Sequence, residues 1–484
     1  MLFHTAEFAL FLAVVLAVFY SAPLGLRRFV LLGSSYLFYM FWNPYFIVLL
    51  VALTAIDYGA ALWIAQSSGR GRKLALGISL AANLGFLGFF KYTNFFIDNV
   101  AWLMGVPPAG YHLALILPLG ISFHTFQSIS YVVDVYRGQQ EPIRSPIDYA
   151  LFIAFFPQLV AGPIVRASEF FPDLHHWQAP SRARVQEAAA MIVTGVVKKL
   201  VLADQFAAVA DGYFGAVAAT PGTPAAWSAT IAFAAQIFFD FSGYTDIAIG
   251  TAALFGFHFP MNFRRPYLAA SITGFWRRWH MSLSRWLRHY VYIPLGGNRG
   301  GTLATYRNLI LTMLIGGLWH GASWNFVLWG GYHGVLLAAE RALGIGAGEG
   351  AAEGAGEGAG EGSRKGAGPG QALGLWPRVL RAVPVFALVC VSWVFFRART
   401  LADTTLVLQR MFGWQSGAFL LQKRHIAFLA VTLLLALAEE ARGWVTRLGS
   451  APAWAQAAAL ALVLACIEIF GVTDQSIPFV YFQF

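Results

Sequence analysis

The residue with the clearest potential for chemistry is His320, which lies inside an apolar run between Gly317 and Gly321. An ionisable side chain in such a run is costly unless it has a partner or a function. Burial favours the neutral imidazole, which can take a proton from a hydroxyl group, and the flanking glycines permit close backbone approach. The sequence therefore predicts a general base at His320. The structural alternative is a core histidine that is hydrogen-bonded to a backbone carbonyl.

Neighbouring side chains are candidates for supporting roles. Trp319 precedes the histidine, and Asn325 follows shortly after it. We expect both to support His320. For His333, further along the same region, a structural role in the core is favoured over a share in the chemistry.

A second cluster of interest is the arginine- and tryptophan-rich segment from Ser271 to Tyr290. At about 100° per residue, a helix through it would carry its arginines on one arc and its aromatic side chains opposite, which is typical of an interfacial helix. The arginines are Arg277, Arg278, Arg285 and Arg288. Such a face could bind the phosphates of a donor such as coenzyme A or a phosphopantetheine arm, or equally anionic lipid headgroups. His280, at its boundary, could face the reaction centre or be a structural hydrogen bonder.

Two carboxylates, Asp240 and Asp246, lie in another apolar stretch. Charged groups in such surroundings need partners. We expect them to pair with arginines of the 271–290 segment or to orient a histidine. A structural ion pair is favoured over direct catalysis.

The composition places these residues in a membrane. Hydrophobic residues make up 58% of the 484 positions, and charged residues only 12%, half of the roughly 25% that is typical of soluble domains. The net charge of +10 comes from basic residues in short loops, which indicates topology and anionic lipid contact rather than nucleic-acid binding. Cys390 and Cys466 lie in apolar segments, and no metal-ligand spacing or phosphate-binding loop occurs. Neither a metal nor a permanently bound cofactor is expected.

Apolar stretches that approach the length of a membrane span recur along the chain and predict an all-α, multi-span protein. They are residues 6–22, 28–42, 45–66, 74–96, 112–136, 148–164, 187–209, 226–257, 306–318, 323–341, 377–396, 425–442 and 452–471. The stretches around 155–163 and 319–321 are interrupted and are expected to line a cavity. Basic loops after the first, third and fifth stretches predict an N-terminus outside the cytoplasm.

A run rich in Gly, Ala and Glu at 344–371 predicts a flexible linker, because it cannot bury apolar surface. It separates an expected catalytic membrane body, residues 1–343, from a C-terminal group of transmembrane helices, residues 372–484.

Several motifs together resemble the membrane-bound O-acyltransferase family, in particular its bacterial alginate O-acetyltransferase type. The motifs are Gln158–Pro163, Asp240–Asp246, Phe275–Ser284, Tyr292–Asn298, Gly317–Gly321 and the tail Tyr481–Phe484. They follow one another in the family's order over the whole chain, and only the 344–371 run looks unlike the family.

The resemblance implies a multi-span helical fold with re-entrant and interfacial helices around a central tunnel. It makes His320 the family's near-invariant histidine and His280 a second functional one. It also implies an acyltransferase of the bacterial inner membrane that moves an acetyl group from cytoplasmic acetyl-CoA for O-acetylation of a polysaccharide such as alginate. Periplasmic SGNH-type acetyltransferases and a polysaccharide synthesis or secretion complex would be its partners.

Other functions are compatible with parts of this pattern. The same fold could transfer D-alanyl groups to teichoic acid, or acyl groups to peptidoglycan or another exopolysaccharide. A transporter would also use broken helices with intramembrane Asp, Gln and His, although no internal repeat is evident. A membrane scaffold for a secretion complex is a third possibility, and it would not depend on either histidine.

Overall fold

The computed structural model describes residues 1–107, 110–159, 162–345, 375–442, 452–472, 477 and 479–480. All regular elements in these ranges are helical, as the sequence predicts. Most of the 344–371 linker, Val160 and Ala161 of one motif, and the Tyr481–Phe484 tail lie outside the described residues. The division into a catalytic body and a C-terminal group of helices stays a prediction.

The chain forms two compact units, Met1–Lys199 with Phe241–Met261, and Leu200–Asp240 with Asn262–Phe484. The first unit contains most of the N-terminal helices. These are α1 Ala6–Ser21, α2 Leu24–Met40, α3 Phe46–Gln66, α4 Gly69–Met104, α5 Ile121–Arg137, α6 Pro146–Ala154, α7 Phe156–Leu159, α8 Ala167–His175 and α9 Arg182–Val197. A π-helical stretch, Lys198–Ala203, follows α9.

The first unit is held together by a buried polar network as well as by apolar packing. Asp57 of α3 is fully buried, and its carboxylate accepts hydrogen bonds from Ser79 Oγ at 2.5 Å and Asn83 Nδ2 at 2.8 Å, both on α4. A carboxylate in apolar surroundings needs such donors. The network therefore fixes α3 against α4.

The second unit carries the segments in which the sequence places the chemistry. Its helices are α10 Asp204–Gly215, the first part of α11 Thr223–Leu254, α12 Ile272–Trp276, α13 Met281–Leu287, α14 Gly301–His320, α15 Trp324–Ala342, α16 Leu375–Arg397, α17 Leu401–Phe412, α18 Lys423–Arg442 and α19 Ala453–Phe470. The remainder of α11, from Phe241, belongs to the first unit.

Among the described residues, three helical segments have the length and apolar composition needed to cross a membrane, namely Phe46–Gln66, Gly69–Met104 and Pro377–Arg397. Ala6–Ser21 and Trp454–Phe470 are shorter apolar helices. Both predicted interruptions are confirmed. The chain breaks at Phe155 between α6 and α7, and again between the end of α14 at His320 and the start of α15 at Trp324.

Candidate active site

Helices α14 and α15 form a hairpin whose close contact depends on glycine. A Cβ at Gly317 would lie 2.3 Å from the carbonyl oxygen of Phe326, and a Cβ at Gly330 would lie 2.3 Å from that of Met313. Glycine alone permits this approach of two backbones, as small residues do at helix contacts in membranes. The close approach that the sequence predicts next to His320 is thus confirmed at Gly317.

The hairpin places His320, the last residue of α14, in an aromatic cage formed by Trp319, Trp329 and Phe396. The imidazole centroid lies 4.9 Å from those of Trp319 and Trp329 and 5.2 Å from that of Phe396. His320 is only 5% exposed. Burial in apolar surroundings favours the neutral form of an imidazole, which can accept a proton.

His280 occupies the break between α12 and α13 and is fully buried. Its backbone is left-handed, with φ of 43°, a conformation that is uncommon outside glycine and often found at functional sites. Its Nδ1 lies 3.2 Å from Oδ1 of Asn262. The same oxygen accepts hydrogen bonds from the backbone N–H and the hydroxyl of Ser282, at 3.1 Å and 3.0 Å.

This arrangement sets the protonation of His280. Because Asn262 Oδ1 is an acceptor, Nδ1 of His280 carries the proton and donates, which leaves the lone pair on Nε2. Burial lowers the pKa of His280 to about 3. The ring is therefore neutral at ordinary pH.

The structure brings the two predicted histidines to the same side chain. The indole of Trp319 lies 4.9 Å from the ring of His320 and 6.1 Å from the ring of His280, measured between centroids. Trp319 thus contacts both rings, and its supporting role stays a prediction.

The prediction of one continuous amphipathic helix over 271–290 is wrong. The segment forms α12, a turn that contains His280, α13, and a π-helical stretch, Arg288–Tyr292. Asn262 explains the break, because its backbone oxygen accepts from the N–H of Met281 at 2.9 Å while its side chain binds Ser282. These contacts satisfy the first N–H groups of α13 from outside the segment, so a new helix begins there.

The predicted arc of four arginines is consequently not formed. Arg277 and Arg288 are exposed, and Arg285 is half-buried. Arg278 is turned towards Glu440, with Nη1 at 4.0 Å from its carboxylate. Glu440 also binds Arg265 and Arg378, each at 2.6 Å. Arg278 is therefore part of an ion-pair cluster, whereas Arg277 and Arg288 face outward.

The other predicted supporting residues have structural contacts. Asp246 pairs with Lys198 at 2.6 Å, so an ion pair exists but its partner is a lysine and not a predicted arginine. Asp240 accepts from the backbone N–H of Val480 at 2.6 Å. Asn325 is buried at the start of α15, where its amide donates to the carbonyl of Ala398 at 2.8 Å and so fixes the chain just after α16.

Sequence reasoning missed Asn262, Trp329 and Phe396. Asn262 and Phe396 are distant in sequence from the histidines that they contact, and an isolated Asn or Phe carries no periodic signal. Trp329 could have been found, since it follows His320 within the same motif-rich region and lies on the face of α15 that turns towards α14.

Residues 73–344 match the model of the MBOAT, membrane-bound O-acyltransferase, family. The chain belongs to this family. Membership establishes a multi-span all-α membrane acyltransferase, and it accords with a buried, neutral histidine within an aromatic cage.

Relatives of this acyltransferase match most of its length. A probable alginate O-acetylase of Azotobacter vinelandii is 42% identical over 88% of this chain and 81% of its own. A probable alginate O-acetylase of Pseudomonas aeruginosa is 41% identical over 88% of this chain and 78% of its own. A peptidoglycan O-acetyltransferase of Helicobacter pylori is 38% identical over 82% of this chain and 76% of its own.

Proposed function

We propose that this membrane acyltransferase takes an acetyl group from cytoplasmic acetyl-CoA and delivers it for O-acetylation of an extracytoplasmic polysaccharide such as alginate. The observation that carries the proposal is His320, a buried imidazole in an aromatic cage. The probable alginate O-acetylases that match most of the chain support the acetyl group and the polysaccharide.

In the proposed reaction His320 is the general base. It takes the proton of an incoming hydroxyl while the hydroxyl oxygen attacks the thioester carbon. The carbon–sulfur bond then breaks, and the leaving thiolate recovers the proton. A neutral base is required for this step, and a positioned base contributes about 10²–10⁴-fold in rate. His280, with its lone pair on Nε2 and the shared contact with Trp319, assists the base or positions the substrate.

The donor's phosphates are proposed to bind the arginines of the 277–288 segment. Arg277 and Arg288 are exposed and so are available to a cytoplasmic ligand, with Arg285 beside them. Arg278 contributes positive charge from the Glu440 cluster. Arginine binds phosphate oxygens through two parallel hydrogen bonds, which suits the phosphates of coenzyme A.

The proposal also covers location and partners. The enzyme lies in the bacterial inner membrane with its N-terminus outside, as the basic loops predict. An SGNH-type periplasmic acetyltransferase and a polysaccharide synthesis or secretion complex receive the acetyl group. Support for this machinery comes from the kind of relatives that the chain matches.

Peptidoglycan is a second candidate acceptor. The peptidoglycan O-acetyltransferase of Helicobacter pylori matches the chain over 82% of its length, nearly as much as the alginate-type relatives do. Transfer to peptidoglycan by the present enzyme would use the same base and donor and would differ only in the hydroxyl acceptor.

The proposed function is tested by measuring acetyl esters on alginate and on peptidoglycan in cells. A strain that carries His320→Ala, at matched protein level, should produce polysaccharide without acetyl esters. His425→Ala is the matched control, because His425 is also buried and its Nδ1 accepts a hydrogen bond from the backbone N–H of Gln422. Loss of acetyl esters from peptidoglycan alone would favour the second candidate, and unchanged esters on both polymers would refute the proposal.

A further inference from the structure

Three buried N–H groups beside the His320 cage have no acceptor among the residues that the structure describes. They are Nε1 of Trp329, Nε1 of Trp393 and Nε2 of His333. The three side chains are at most 1% exposed. A buried donor that is left without an acceptor is costly, and three such donors on neighbouring side chains require an explanation.

The rings of these side chains are neighbours. Trp329 lies at the centre, with its centroid 5.0 Å from that of His333, 6.3 Å from that of Trp393 and 4.9 Å from that of His320. Trp329 and His333 are on α15, and Trp393 is on α16. Trp329 therefore contacts the proposed base, and His333 and Trp393 contact Trp329.

All three groups can only donate. An indole nitrogen has no lone pair to offer. For His333 the tautomer is set, because Trp276 Nε1–H donates to its Nδ1 at 3.3 Å, so the proton resides on Nε2. The matching ligand group must accept hydrogen bonds without donating any, as a carbonyl oxygen or an oxyanion does.

Two other indoles of this unit, that of buried Trp276 and that of half-buried Trp227, have acceptors in the protein. Trp276 donates to His333, and Trp227 donates to the carbonyl of Met411 at 3.0 Å. For these two tryptophans the chain itself provides the hydrogen-bond acceptor. Phenylalanine would fill the positions of Trp329 and Trp393 without burying a donor, which indicates that the N–H groups serve a ligand.

We propose that Trp329, Trp393 and His333 form a hydrogen-bond-donor subsite for the carbonyl oxygen of the acyl thioester. The subsite deepens the proposed function and rests on it. When the hydroxyl oxygen bonds to the thioester carbon and His320 takes its proton, the carbonyl oxygen becomes negatively charged. The N–H groups stabilise that charge until the carbon–sulfur bond breaks and the thiolate takes the proton back.

Kinetics of the purified full-length enzyme give the first test. Trp329→Phe and Trp393→Phe each remove one donor but keep an aromatic ring, and each should lower kcat about 10²–10³-fold with little change in KM. Trp227→Phe is the matched control, since it removes a tryptophan N–H that has a structural acceptor, and it should leave kcat near wild type. If Trp329→Phe and Trp227→Phe have equal kcat values, the subsite is excluded.

Infrared spectroscopy separates the subsite from the proposed function and does not need turnover. Carbonyl-labelled [¹³C]acetyl-CoA is bound to the His320→Ala enzyme, which should retain the subsite. The carbonyl stretch should shift to lower wavenumber on binding, and Trp329→Phe or Trp393→Phe in that background should reverse part of the shift. A bound band at the free-solution position contradicts the subsite alone. The absence of any bound band contradicts acetyl-CoA as donor.

Discussion

Oδ1 of Asn262 lies 3.2 Å from Nδ1 of His280, and this contact determines which nitrogen of the buried imidazole is basic. A neutral amide in this place leaves the pKa of His280 low, at about 3, because burial is not opposed by a negative charge. His280 therefore stays neutral over the whole range in which an enzyme ordinarily works.

Asn262→Asp should make the activity sensitive to acid. A carboxylate at this position would keep the contacts with His280 and Ser282 but raise the pKa of His280, because an adjacent negative charge favours the protonated ring. As pH falls through the raised pKa, His280 gains a proton and loses the lone pair on Nε2. The acid limb of the kcat profile should therefore move from about pH 3 up to about pH 4–6. The measurement is the pH dependence of kcat. Ser282→Ala is the control, as Ser282 shares the Asn262 oxygen without touching that proton. An identical pH profile of kcat for Asn262→Asp and wild type would show that protonation of His280 does not control activity.

The hairpin that carries His320 should be sensitive to a single methyl group. Gly317→Ala would place Cβ 2.3 Å from the backbone oxygen of Phe326, which forces α14 and α15 apart. Overpacking of this kind costs about 1–3 kcal/mol and should also lower activity, because His320 loses its contact with Trp329. The midpoint of thermal unfolding in detergent and the acetyl-transfer rate are the measurements.

Gly331→Ala is a matched control for the same hairpin. Its Cβ would meet only Leu314 Cδ2, at 3.6 Å, an ordinary contact, and alanine favours the helix by about 1 kcal/mol over glycine. This variant should be as stable as wild type or more so. Equal melting of the Gly317 and Gly331 variants would show that the close approach does not hold the hairpin.

Much of this site could be anticipated from the sequence. The features that could not be anticipated depend on contacts between residues that are distant along the chain. The sequence identifies His320 as a candidate, because an imidazole flanked by glycines in an apolar run is costly without a partner or a function. The helix breaks at Phe155 and after His320 also follow from local chemistry, as Gly and Pro interrupt those runs.

The 271–290 segment shows where local reasoning fails. Its periodicity favours one amphipathic helix, but Asn262 supplies hydrogen bonds that start a second helix at Met281. Glu440 likewise engages Arg278 from a distant helix. Both partners, Asn262 and Glu440, lie outside the 271–290 segment, so its periodicity cannot reveal them. Their contacts rearrange the arginines that were expected to share one face.

The exposed arginines should govern donor binding. The double variant Arg277→Ala, Arg288→Ala should raise the KM for acetyl-CoA while leaving kcat unchanged, since the phosphates are held equally in the ground and transition states. The effect should shrink at high ionic strength because salt screens exposed charges. Arg399→Ala, an exposed arginine outside the segment, is the control. An unchanged KM in the double variant would favour the anionic-lipid interpretation of this face.

The most direct measurement of the central claim is release of the CoA thiol from acetyl-CoA by purified enzyme, assayed together with the periplasmic acetyltransferase partner and an alginate oligosaccharide. His320→Ala should reduce the rate about 10²–10⁴-fold, with the protein still folded and inserted, while His425→Ala should remain near wild type. Added imidazole should restore part of the lost rate by entering the space that the side chain leaves. If His320→Ala releases thiol as fast as wild type at the same protein concentration, His320 is not the base.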